Sequence, residues 1–96
     1  MAAYNQWQNE NLYTAADALS DKERKSNKGA YFGSIHATLS HLLWGDLRWM
    51  NRFAGVAPPN QTNIPTSVNE CEDWQELKVR RAKADTDIIG LSLIHI

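Results

Sequence analysis

The sequence predicts an all-α protein, an antiparallel helical bundle with one long connection. Three observations carry that prediction. Apolar residues recur at the i, i+3, i+4, i+7 spacing of a helix in three separate segments. No segment of convincing length alternates apolar and polar residues with the period of a strand. The stretch densest in helix breakers, GVAPPNQTNIPTS, lies between the second and third of those segments, where three prolines and a glycine leave room only for a loop.

The first helix is expected from about Ala2 to Leu19, with Leu12, Ala15, Ala16 and Leu19 at helical spacing and Tyr4 and Trp7 a turn or two earlier. SDKE then reads as a capping box, with Ser20 as N-cap and Glu23 at the third helical position, and starts only a short turn. KSNKGAYFG is a connection rich in Ser, Asn and Gly. Ser34 is placed to cap a second helix that reaches about Ala54. The third helix is expected to begin near Asn69, with Glu72 at its third position, and carries Trp74, Leu77, Ala84 and Ile88 at helical spacing. Its other face, KVRRAKAD, reads as solvated charge.

Ninety-six residues make one small domain at most. With 43% apolar and 22% charged residues, the composition is that of an ordinary soluble globule. The 10 basic and 11 acidic side chains are interspersed, so there is no basic stripe to track phosphates, and nucleic acid is not expected as a partner. MAAYNQWQNENL has neither a basic n-region nor an apolar h-region. The final IIGLSLIHI is far shorter than the roughly 20 residues of a spanning helix. These features predict a cytoplasmic protein without a membrane partner. The single Cys71 cannot form an internal disulfide, and its acidic neighbours Glu70 and Glu72 disfavour a thiolate nucleophile. No Gly-rich phosphate loop and no nucleophile elbow is present.

Two of the three histidines lie on the second helix. At about 100° per residue, Ile35, Leu39, Leu42, Asp46, Met50 and Phe53 share one face, flanked by Leu43 and Trp49. Trp44 projects opposite this stripe. His36 projects roughly 90° to one side and His41 roughly 130° to the other. A chelating pair on one helix needs a spacing of three or four, so these two cannot hold one ion together. Spacing alone favours two half-exposed residues without a role. Asp46 is stranger, because a carboxylate within an apolar stripe needs a partner. An amide, hydroxyl or Trp N–H from a neighbouring helix would satisfy it; alternatively, it could orient a ligand histidine. The four tryptophans could line a pocket, but at this spacing most belong to a core.

Longer runs carry a resemblance. Tyr4, Asn5 and Trp7, then Phe32 to His36, then Thr38, Leu39, His41 to Leu43 and Asp46 match a Tyr-Asn-x-Trp opening, Phe-Gly-Ser-Ile-His, and Thr-Leu-x-His-Leu-Leu-x-x-Asp. In these positions the chain resembles the N-terminal half of the DinB/YfiT-like superfamily, strongly over Tyr4 to Phe53 and weakly over the third helix. Trp44-Gly45 replaces a small apolar pair, and Ala37 and Ser40 stand where Gly and Asn are usual.

The resemblance implies a four-helix bundle, often dimeric, with a divalent metal of the Zn or Ni type held by three histidines. His41 matches the ligand from the second helix, and His36 a structural or peripheral position. The other two ligands would form a His-x-x-x-His pair on a later helix, and nothing after Ala54 supplies one; only His95 remains. Periodicity fades at Gly90, and LSLIHI resembles translated sequencing-adapter sequence. The expectation is therefore a bundle truncated to about three helices, with residues 1–90 the N-terminal part of the domain and 91–96 a non-native tail. Such a fragment should not retain metal, and should leave a groove lined by Leu39, Leu42 and Phe53.

Two functions follow from the resemblance. At full length the protein would be a metal-dependent hydrolase or thiol-dependent transferase, a homodimer acting on a low-molecular-weight thiol or other small molecule. Alternatively, it is a non-catalytic dimerisation module associated with stress response. Such proteins often carry a damage-inducible label, yet no residue here points to DNA.

Overall fold

The structure is a computed structural model that describes residues 2–27, 29, 33–55 and 57–94. Phe32 and His95 lie outside the described residues, as does the side chain of Asn5. The fold is all-α. Helix α1 spans Ala2–Asp17, α2 Asp21–Lys25, α3 Ile35–Ala54 and α4 Trp74–Ile94, with a 3-10 turn at Ser67–Asn69 and no strand among the described residues.

The helix ends follow local chemistry. Ser20 and Glu23 form the expected reciprocal capping box, each side chain bonding the other's backbone N–H at 3.1 Å. Arg24 then folds back, and its Nη1 donates to the carbonyls of Ala16 and Leu19, satisfying acceptors that the end of α1 leaves open. Its guanidinium also sits 4.4 Å from the centre of a Trp74 ring, which ties α2 to α4. Ser34 accepts from the Ala37 N–H at 3.0 Å and starts α3. Gly55, at φ +71°, ends it where an L side chain would be strained.

The start of the last helix differs from expectation. Asn69 closes the 3-10 turn, and the N-cap is Asp73, whose carboxylate accepts from the Glu76 N–H at 2.9 Å. Capping by Asn69 fails because the next residue, Glu70, is fully engaged elsewhere. Its carboxylate accepts from the N–H groups of Asn60 and Gln61 at 2.9 and 2.8 Å and from Arg80 at 2.6 Å, fastening the long connection. The helix runs through Gly90 to Ile94, past the point where its apolar periodicity fades. A single glycine costs only about 1 kcal/mol inside a helix, so fading periodicity did not mark its end.

Helix α4 is the spine. It packs against both α1 and α3, which hardly touch each other, and the core of Tyr13, Ala16, Leu39, Leu43, Met50, Trp74, Leu77 and Ala84 lies along it. The other main neighbour of α3 is the connection, which lies across it between residues 57 and 73.

That placement turns α3 roughly a quarter turn from its expected orientation. The buried residues are His36, Leu39, Ser40, Leu43, Trp44 and Met50. Trp44, expected to point away from the core, is buried and donates Nε1–H to the Gln61 carbonyl at 2.8 Å. Leu42, Trp49 and Phe53, expected inside, are 46%, 53% and 66% exposed. Of the three residues expected to line an open groove, Leu42 and Phe53 are bare, while Leu39 is covered.

Candidate functional site

The two histidines of α3 are held quite differently. His36 is 4% exposed, and its Nε2 lies 2.7 Å from the Cys71 carbonyl. A carbonyl only accepts, so Nε2 carries the proton and Nδ1 keeps the lone pair. That Nδ1 is buried without a hydrogen-bond partner. The ring is tilted against Trp74, with centroids 6.0 Å apart. His36 is a packing residue that pins the connection to α3, rather than the half-exposed residue its spacing suggests.

His41 is half-buried at the edge of the bare strip, one residue before Leu42. Its Nδ1 lies 2.6 Å from Ser67 Oγ, and Ser67 Oγ donates to the Ile64 carbonyl at 2.6 Å. A hydroxyl has one proton to give. With that proton committed to Ile64, His41 Nδ1–H must be the donor to Ser67, and Nε2 holds the lone pair. Fixing a histidine through one nitrogen so that the other can act as a ligand is how proteins orient imidazoles at metal centres. Trp44 stacks on the ring at 5.7 Å and braces it further.

Ser67 is itself fixed. Its backbone N–H reaches the Ile64 carbonyl at 3.1 Å, and its own carbonyl accepts from Ser40 Oγ at 3.4 Å. Ser40 in turn accepts from the Cys71 N–H at 3.1 Å. Proline-punctuated sequence thus becomes a strap that holds Ser67 beside His41. No sequence signal marked Ser67 for that position.

Asp46 does not orient His41. Its carboxylate pairs with Arg81 of α4 at 2.8 Å, and Arg81 pairs with Asp85 at the same distance. Asn9 of α1 donates to Asp85 at 2.9 Å, so one buried guanidinium joins three helices. None of the partner groups expected for Asp46 is used. The KVRRAKAD face is correspondingly not all solvated: Arg81 is buried and Arg80 half-buried against Glu70. Arg81 falls on the stripe of Trp74, Leu77, Ala84 and Ile88, and that placement was its available signal.

Cys71 is buried, and burial pushes its thiol pKa up, with a hydrogen bond from Arg80 pulling the other way. A thiol held protonated is a poor nucleophile. Trp44 and Trp74 are buried and Trp7 and Trp49 exposed, so only half of the tryptophans belong to the core.

No group of three or more His, Cys, Asp or Glu side chains among the described residues is placed to hold a metal ion. Likewise, no helix among the described residues is long and apolar enough to cross a membrane. The arrangement defines a class: an all-α bundle in which a mid-helix histidine is aimed by a serine on a strapped connection, beside an open apolar face. The family model of the DinB family matches residues 1–90, and the chain belongs to that family. No curated protein and no solved structure matches it.

Proposed function

We propose that this chain supplies one side of a divalent-metal centre, with His41 as its ligand. A further helix laid along Leu42, Trp49 and Phe53 would bring the remaining ligands. The observation that carries this reading is the Ile64–Ser67–His41 relay, which leaves the lone pair on Nε2. Open space above Gly45, between the exposed Leu42 and Trp49, suits the close approach of a helix. Imidazole ligands suit a metal of the Zn²⁺ or Ni²⁺ type.

The described residues do not make a metal centre by themselves. A catalytic zinc takes about three protein ligands, and His41 is one. No reaction step is assigned to them for that reason. As a class, the reading is a cytoplasmic metal-dependent hydrolase or thiol-dependent transferase, homodimeric and acting on a small molecule such as a low-molecular-weight thiol. It rests on family membership and not on a substrate site.

Titration of the 96-residue chain with Zn²⁺ tests the assignment. Binding should be weak and non-saturating, confined to His41 resonances, lost in His41→Ala and kept in His36→Ala. Tight stoichiometric binding, or loss on His36→Ala, contradicts it.

The bare strip independently favours a second reading, a non-catalytic dimerisation module associated with stress response. Under it, His41→Ala changes neither metal content nor association, whereas polar substitutions in the strip abolish association.

A further inference from the structure

The strap and the last turns of α3 enclose an open cleft of about 250 Å³. Arg48, Asn51 and Arg52 line it from the helix, and Pro58, Pro59 and Thr62 from the strap. Arg48 and Arg52 are exposed and stand one turn apart on the same face of α3. Arg48 Nη1 donates to the Thr62 carbonyl at 3.0 Å, which carries its head group across from the helix to the strap. The same guanidinium lies 5.3 Å from the centre of a Trp44 ring, so it is held in place before any ligand arrives.

The cleft lacks a counter-charge. Arg24 pairs with Asp21 at 3.7 Å, Arg80 with Glu70 at 2.6 Å, and Arg81 with Asp46 and Asp85 at 2.8 Å. Among the described residues no carboxylate pairs with Arg48 or Arg52, and none lines the cleft. Glu70 lies behind it and accepts from the Gln61 N–H, but that carboxylate is buried and committed to Arg80. Two like charges a turn apart repel each other. The negative end of α3 offsets Arg52, which sits in the last turn, and does not account for Arg48.

We propose that this cleft binds a phosphoryl dianion, as a small phosphate monoester or the free ion, between Arg48 and Arg52. A phosphoryl group carries close to two negative charges at neutral pH and three acceptor oxygens, enough to engage two guanidinium forks at once. A single carboxylate would leave one arginine uncompensated. Pro58 and Pro59 give the alcohol part of an ester an apolar wall without any charge. An isolated pair suits one phosphoryl group, whereas a polynucleotide needs a row of cations. The cleft shares no lining residue with His41 or with Leu42, Trp49 and Phe53, so this inference stands apart from the metal reading.

The test is NMR titration of the full chain with inorganic phosphate, glycerol phosphate and succinate at constant ionic strength. Both phosphates should bind saturably and shift the side-chain N–H signals of Arg48 and Arg52, with succinate clearly weaker. Tighter binding of glycerol phosphate puts an ester on the proline wall, and equal binding makes the free ion the ligand. Arg48→Gln and Arg52→Gln, at exposed positions, should each weaken phosphate at least about tenfold, the factor for one lost charge-assisted hydrogen bond, with an unchanged circular dichroism spectrum. Lys22→Gln removes the same charge from α2 and should change nothing. Affinity should fall between about pH 7.5 and about pH 5.5, because the second phosphate pKa is about 6 and no side chain lining the cleft titrates there. No saturable binding, succinate binding as tightly as phosphate, or equal weakening by Lys22→Gln overturns the proposal. So does an Arg52→Gln chain that melts lower yet binds phosphate as before, the mark of an arginine that only offsets the helix end.

Discussion

On one face of α3, polar His36 and Ser40 are buried beside Leu43 and Trp44; on another, Leu42, Trp49 and Phe53 stand in solvent. Hydrophobicity does not distinguish the two faces, and available neighbours do. The covered face has α4 on one side and the 57–73 strap on the other, and the strap brings carbonyls, a hydroxyl and an N–H that match His36, His41, Ser40 and Trp44. The bare face has no such neighbour among the described residues. Burial in a bundle is decided by which elements pack on a helix, and the polar groups they bring decide which polar residues can go inside.

The comparison breaks hardest at Leu43. Leu43→Ala leaves a cavity against α4 and should cost about 2–5 kcal/mol in chemical denaturation. Leu42→Ala, one residue away, should cost under about 0.5 kcal/mol. Next is Arg81→Met, which strands buried Asp85 and should cost about 3 kcal/mol, whereas Asp46→Asn, half-exposed, should cost less than about 1 kcal/mol. Equal losses at Arg81 and Asp46 would show that the pair, and not the buried carboxylate, carries the energy.

The bare face is tested by association. The wild-type chain should self-associate, as measured by sedimentation, and combined Leu42→Ser, Trp49→Ser and Phe53→Ser should return it to a monomer with its helices intact. A strictly monomeric wild type would show that the exposed strip does not pair with a second copy of this chain.

Smaller effects separate the histidines. His36→Ala orphans a buried carbonyl and should cost about 1–3 kcal/mol, while His41→Ala should cost about 1 kcal/mol or less. The smallest effect is electrostatic. Hydrogen bonds from Trp74 and then Lys78 lower the Asp17 pKa. Its contribution is therefore present above the ordinary carboxylate range and lost as pH falls through the depressed value. Asp17→Asn should flatten that part of the stability profile slightly, because the side chain is exposed and screened.

Much of this was legible in the sequence. Ser20–Glu23 and Ser34 mark helix starts by capping chemistry, which acts over a few residues and needs no tertiary context. The orientation of α3 was not legible, because periodicity counts apolar residues and cannot see a loop that returns to cover Ser40 and Trp44. Asp46 and Arg81 each interrupt an apolar stripe on a different helix, so their pairing could have been read by setting one anomaly against the other. The Ser67–His41 contact spans 26 positions through a proline-rich loop, and its register is fixed by distant partners such as Trp44, Ser40 and Arg80. Nothing local to either residue encodes it.

The strap gives the two histidines opposite tautomers, and the proposed metal centre would meet His41 through Nε2. Two-bond ¹H–¹⁵N spectra of the histidine side chains, recorded as Zn²⁺ is added, test it most directly. Nδ1–H on His41 and Nε2–H on His36 are expected, with zinc perturbing Nε2 of His41 and leaving His36 unchanged. An Nε2–H tautomer on His41, or a zinc response at His36, would contradict it.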